Sequence, residues 1–161
     1  VELDELMRRS DFFSINCPLT PETRNLIGEK EYALMQPTAY FITSARGSIH
    51  DEAALERALR DKKIAGAGLD VWEKEPPPAQ HPLMKYDNVM VTPHMAGVTR
   101  ESRARMGQIA AEQMLDALDG KRVPRIVNSQ VWPDYAKRFE KAFGFKPASP
   151  PDEPNWHEFE K

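Results

Sequence analysis

Residues 39–71 read AYFITSARGSIHDEAALERALRDKKIAGAGLDV. The run Ala39-Tyr40-Phe41-Ile42-Thr43 is apolar, β-branched and aromatic, and predicts a strand. Asp51 stands where a helix cap belongs, and Leu55, Ala58 and Leu59 share one face of the helix it would open. Ala65 to Val71 is a second apolar run of strand length. Its small residues, Gly66, Ala67 and Gly68, imply close approach of a helix or a ligand. Strand, helix and strand in succession point to a parallel α/β sheet.

The same alternation extends both ways. Upstream, Asp11 to Asn16 predicts a buried strand closed by Cys17-Pro18, and a short helix near Glu29–Met35 is stopped by Pro37. Downstream, a Pro-rich loop runs from Pro76 to Pro82, and Val89 to Thr92 predicts a fourth strand that ends at Pro93. Thr99 then caps the longest helix. Met106, Ile109, Ala110, Met114, Ala117 and Leu118 recur along it at helical spacing, and Gly120 ends it. The expected fold class is α/β: a doubly wound, Rossmann-type parallel sheet covered on both faces. Beyond it, Pro133 to Phe143 predicts one amphipathic helix with Gly144 as its stop. Lys146 to Lys161, rich in proline and acidic residues, is expected to be mostly disordered.

Composition narrows the function. The chain has 161 residues, 40% of them hydrophobic and 29% charged, with a formal net charge of −3. That balance is ordinary for a globular domain and gives no reason to expect nucleic acid or membrane as a partner. Cys17 is the sole cysteine, so no internal disulfide forms and a reducing, cytoplasmic location is expected. Val1 to Ser10 lacks the apolar stretch of a secretory signal, does not start with Met and reads as mid-helix, so the chain is expected to be a fragment.

Three loops carry chemistry, each at the carboxyl end of a predicted strand, where open α/β sheets bind ligands. Ser44-Ala45-Arg46-Gly47 offers a planar two-pronged cation suited to a carboxylate, with a glycine beside it for a sharp turn. Asp70-Val71-Trp72-Glu73-Lys74-Glu75-Pro76 supplies carboxylates. Thr92-Pro93-His94-Met95-Ala96-Gly97 supplies an imidazole placed to act as acid or base. Taken singly, these read as a surface ion pair, solvated loop charges and a structural histidine. Composition and spacing alone reach a ligand-binding α/β domain.

In combination the segments resemble the D-isomer-specific 2-hydroxyacid dehydrogenases, in particular the phosphoglycerate dehydrogenase and glyoxylate–hydroxypyruvate reductase branch. The resemblance covers about Leu3 to Asn128. It is carried by Cys17-Pro18-Leu19-Thr20-Pro21-Glu22-Thr23, Ala45-Arg46-Gly47 with Asp51-Glu52-Ala53-Ala54-Leu55, Gly68-Leu69-Asp70-Val71 through Glu75-Pro76, and Asp87-Asn88-Val89 with Thr92-Pro93-His94-Met95-Ala96-Gly97. The resemblance implies that Arg46 binds the substrate carboxylate, that His94 is the general acid of ketoacid reduction, and that Glu75 orients His94 and keeps its proton available. It implies that Asp70 holds the nicotinamide carboxamide of NAD or NADP. Cys17, Pro18, Ser44, Ala45, Arg46, His94, Ala96 and Gly97 would line the cofactor site, and no metal is expected. Glu75 argues against the related formate dehydrogenases, which have Gln there. Asn16, Thr43 and His50 depart from the common His, Asn and Val, and are expected to tune the cofactor pocket. A dinucleotide-sensing corepressor of the same fold is the alternative.

The resemblance also sets the domain plan. Residues 1–119 are expected to be the C-terminal part of the nucleotide-binding domain with its crossover helix, 120–128 a return to the substrate domain, and 129–161 a tail. The phosphate-binding G-x-G-x-x-G is absent from the sequence. A missing N-terminal half and a homodimer are the expected partners beside a small 2-ketoacid. In the strand order 3-2-1-4-5-6, the first strand here would be the third, which leaves a gap beside the second.

Overall fold

The structure, a computed structural model, describes residues 1–150. Two compact units divide at Val98/Thr99. The first holds α1 (Leu3–Arg9), β1 (Phe12–Ile15), α2 (Glu29–Leu34), β2 (Tyr40–Thr43), α3 (Glu52–Arg60), β3 (Gly66–Leu69) and β4 (Val89–Val91). The strands form one parallel sheet in the order β1-β2-β3-β4. This confirms the α/β class and corrects the expected gap: β1 pairs directly with β2, Phe13 opposite Phe41 and Ile15 opposite Thr43. The connection from Asn16 to Ala39, which contains α2, is long enough for a parallel crossover, so no intervening strand is needed. The four strands are a contiguous half-sheet.

The expectation of two covered faces is corrected as well. Right-handed crossovers that advance in one direction place their helices on one face. Accordingly, burial alternates along β1, with Phe13 and Ile15 buried while Phe12 is 69% exposed. Phe13, Ile15, Phe41 and Leu69 join Tyr32, Leu55 and Leu59 in the core, whereas Phe12, Tyr40 and Met90 stand exposed on the opposite side. At Gly66 the small residue has a different cause from the one expected. A Cβ on Gly66 would lie 2.4 Å from the Asn88 carbonyl oxygen and 2.8 Å from the Tyr40 ring, so the crowding comes from a neighbouring strand and a loop.

Asp51 caps α3 as expected, its carboxylate accepting from the Ala54 N–H at 2.9 Å. His50, just before it, is fully buried against Phe41 and bonds Tyr32 Oη through Nδ1 at 3.1 Å. It therefore belongs to the core and does not tune a pocket; Thr43 is buried too. Burial lowers the His50 pKa to about 4, against smaller opposing effects of the Asp51 charge and backbone. Below the ordinary histidine value of about 6.5, the unfolded chain takes up a proton that the folded chain refuses. Stability should therefore fall by about 3 kcal/mol as pH drops from about 6.5 to about 4. Urea unfolding of the chain across that range checks this. His50→Val should lose distinctly less stability over the same interval, and equal losses would refute the assignment.

The second unit contains α4 (Arg100–Leu118) and α5 (Trp132–Phe143). Thr99 caps α4 by accepting from the Ser102 N–H at 3.0 Å, and Gly120 ends the segment at φ +68°. The apolar stripe of α4 is uncovered: Met106, Met114 and Leu118 are 57%, 66% and 64% exposed. α5 matches the helix predicted for Pro133–Phe143. Its Phe139 is buried, Tyr135 Oη donates to the Ala117 carbonyl, and Gly144 closes it at φ +79°. Of the segment expected to be disordered, residues 146–150 adopt no helix or strand, and 151–161 lie outside the described residues.

Candidate active site

Because all four strands run parallel, their carboxyl ends share one edge. Cys17 and Pro18 follow β1, and Ser44, Ala45 and Arg46 follow β2. These five, with Asn16 and Leu19, line a cleft of about 610 Å³. Asp70 terminates β3, with Glu75 in the loop beyond it. His94, Ala96 and Gly97 follow β4.

The β3 and β4 loops are joined by side chains. His94 Nδ1 lies 2.7 Å from Glu75 Oε2, and the second carboxylate oxygen of Glu75 accepts from the Trp72 N–H at 3.1 Å. The hydrogen bond with His94 holds the Glu75 carboxyl below the usual carboxylate range. Desolvation opposes this, and the Trp72 N–H and the nearby Arg46 charge add smaller effects in the lowering direction. With Nδ1 engaged, Nε2 is the nitrogen left to exchange a proton. His94 is 41% and Glu75 38% exposed by side chain, so a substrate can reach the pair.

His94 sits at φ +53°, a left-handed conformation uncommon for a residue with a side chain. Asp70 holds it there. The Asp70 carbonyl accepts from the His94 N–H at 2.7 Å, and its carboxylate accepts from Met95 N–H at 2.8 Å, Ala96 N–H at 2.9 Å and the Thr92 hydroxyl. Desolvation pushes the Asp70 carboxyl up, but the hydrogen bonds from Thr92, Ala96 and Met95 outweigh it and keep the group ionised below its ordinary pKa. Asp70 is only 6% exposed, and three of its acceptor positions serve this loop.

Arg46 is exposed, and its guanidinium donates to the Ala45 carbonyl at 2.7 Å. Gly47 beside it is required for a packing reason. A Cβ there would lie 1.9 Å from the Trp72 carbonyl oxygen, so only glycine lets the Arg46 loop meet the Glu75 loop. Trp72 links all three loops. Its indole N–H donates to the Thr92 carbonyl at 3.2 Å while its backbone holds Glu75 and backs onto Gly47. Sequence reasoning assigned no role to Trp72 or Thr92. A tryptophan directly after a strand end, two residues past Asp70, was the available signal. Gly97 is exposed at the end of its loop.

The residues present fit the nicotinamide end of a dinucleotide. The cleft lies at the strand edge where open α/β sheets bind ligands, and the Arg46 cation lines it. No G-x-G-x-x-G stands in the sequence to receive the diphosphate.

Comparison with known proteins agrees. The family model described as D-isomer specific 2-hydroxyacid dehydrogenase, NAD binding domain, matches residues 1–96. A glyoxylate reductase from Thermofilum pendens is 48% identical over 130 residues, which is 81% of this chain and 38% of that protein. A glyoxylate reductase from Aeropyrum pernix is 49% identical over 129 residues, covering 80% of this chain and 38% of its own length. Among solved structures, D-lactate dehydrogenase with NAD+ from Lactobacillus jensenii superposes with a TM-score of 0.73 at 34% identity, over 79% of this chain and 42% of that one. The chain thus spans about two fifths of the length of these two curated relatives.

Proposed function

The chain belongs to the D-isomer specific 2-hydroxyacid dehydrogenases, and from that premise we propose that the full-length protein interconverts a small 2-ketoacid and a D-2-hydroxyacid with NAD or NADP. The observation that carries the reading is the 2.7 Å contact of Glu75 with His94 at the carboxyl edge of the sheet, beside the Arg46 loop.

In the reductive direction a ketoacid, a reduced nicotinamide and a proton give a hydroxyacid and the oxidised nicotinamide. The nicotinamide, when bound, supplies the hydride. The Arg46 guanidinium pairs with the substrate carboxylate through two parallel N–H bonds, which orients the neighbouring carbonyl. Negative charge grows on that carbonyl oxygen, and His94 delivers a proton to it from Nε2. Glu75, bonded to Nδ1, fixes the ring and stabilises its charged form. In the oxidative direction the neutral Nε2 takes the hydroxyl proton. Cys17, Pro18, Ser44, Ala45, Arg46, His94, Ala96 and Gly97 line the cofactor site. Asp70 has one acceptor position left for a carboxamide N–H, so its first task is to hold the His94 loop. The uncovered apolar stripe of α4 supports a homodimer.

Turnover tests the reading. The full-length protein should oxidise NADH or NADPH in the presence of glyoxylate, hydroxypyruvate or a related ketoacid, giving the D-hydroxyacid wherever the product is chiral. Binding of the dinucleotide with no turnover of any ketoacid in that panel would contradict it and would favour the corepressor-like alternative.

A further inference from the structure

The first residue of α3, Glu52, is 9% exposed, yet each of its carboxylate oxygens has a partner. Oε1 accepts from the Glu73 N–H at 2.7 Å, and Oε2 lies 3.0 Å from His81 Nε2. His81 Nδ1 accepts from the Leu83 N–H at 3.3 Å, so the ring hydrogen is on Nε2 and points at Glu52. The His81 ring also packs edge-on against Trp72, with centroids 5.0 Å apart. One buried carboxylate therefore binds the segment that follows the Arg46 loop to the Trp72–Glu75 loop at Glu73, and binds both to the segment at His81. Nothing in the proposed chemistry uses Glu52 or His81, and a buried carboxylate is costly unless it is satisfied as this one is.

We propose that Glu52, seated by His81, is a positioning residue: it fixes the loop that carries Glu75 and so sets the Glu75–His94 contact. The proposal rests on the catalytic reading above for its kinetic consequence, but not for its structural one. Glu52 holds the Glu73 N–H, the Trp72 N–H next to it holds Glu75, and Glu75 holds His94. Among charged groups, His94 and Arg46 face Glu75 from the neighbouring loops. A glutamine at position 52 keeps the shape but not the bonding. It has one carbonyl oxygen for two N–H donors and turns its NH₂ toward whichever donor it fails to accept from.

The test follows the Glu75 carboxyl carbon by ¹³C NMR titration of the 161-residue chain, comparing the parent with Glu52→Gln and Glu52→Ala, with no cofactor present. Glu75 should titrate closer to the ordinary carboxylate range in both variants, further in Glu52→Ala. In the full-length protein, kcat should fall on the order of tenfold in Glu52→Gln, with the ketoacid KM little changed. If Glu52→Ala does not fold, Glu52→Gln decides. A variant with a lowered thermal midpoint but an unmoved Glu75 titration would overturn the proposal and leave Glu52 a purely structural residue. Because the titration needs no turnover, it stands even where the ketoacid panel shows none.

Discussion

His94→Ala is expected to lower ketoacid reduction by about 10²–10⁴-fold at every pH, because no proton donor then remains for the developing alkoxide. The effect belongs in kcat. The geometry says why no neighbour substitutes: Nε2 is the free nitrogen of a ring whose Nδ1 is held by Glu75, and the loop is caged by Asp70. The left-handed backbone at His94 depends on that cage, so thermal unfolding should accompany the kinetics. A folded His94→Ala variant with parent-like kcat would remove His94 from the chemistry.

Arg46→Lys is expected to cost about 10- to 100-fold in kcat/KM for the ketoacid, mostly as a raised KM. Lysine keeps the charge but offers no fork, and a hydrogen bond to a charged group is worth about 1.5–3 kcal/mol. Arg46 is exposed and bonds only its own loop carbonyl among the contacts described, so folding should be unaffected. Cofactor affinity measured by calorimetry should stay within a factor of about two, since the fork acts on the substrate. Unchanged ketoacid kinetics in Arg46→Lys would mean that the guanidinium does not bind the carboxylate.

Much of this was legible in the sequence. Each strand was a short apolar run closed by a loop residue or a proline, and period and punctuation suffice for such segments. The caps at Asp51 and Thr99 were readable because a side-chain oxygen at a helix start has one main use. Strand order was not readable, since Phe13 facing Phe41 is a long-range fact that local pattern does not encode. Nor was the bare face holding Phe12, Tyr40 and Met90, which follows from the direction in which the crossovers advance.

At the site, the three loops stood out by their place at strand ends, and the family resemblance singled out Arg46, Glu75 and His94 within them. What organises them did not stand out. Trp72, Thr92, Glu52 and His81 act across 20 or more residues of sequence, through the Trp72–Thr92, Thr92–Asp70 and Glu52–His81 contacts. His50 stands where Val is common in the resembling family, which suggests a pocket role, but its side chain turns into the core onto Tyr32.

The central claim is that Glu75 and His94 act as one acid–base unit, and the dependence of kcat/KM on pH in both directions tests it most directly. The bond with His94 holds the Glu75 carboxyl below the usual carboxylate range, and at 2.7 Å a carboxylate charge attracts a cationic ring by Coulomb's law. Glu75→Gln keeps the shape and removes the charge. Ketoacid reduction needs the charged ring, so its loss with rising pH should set in at lower pH in the variant, with activity largely retained in acid. Hydroxyacid oxidation needs the neutral ring, so its lower limit should move down in pH by the same interval. Superimposable profiles for parent and Glu75→Gln in both directions would contradict the account.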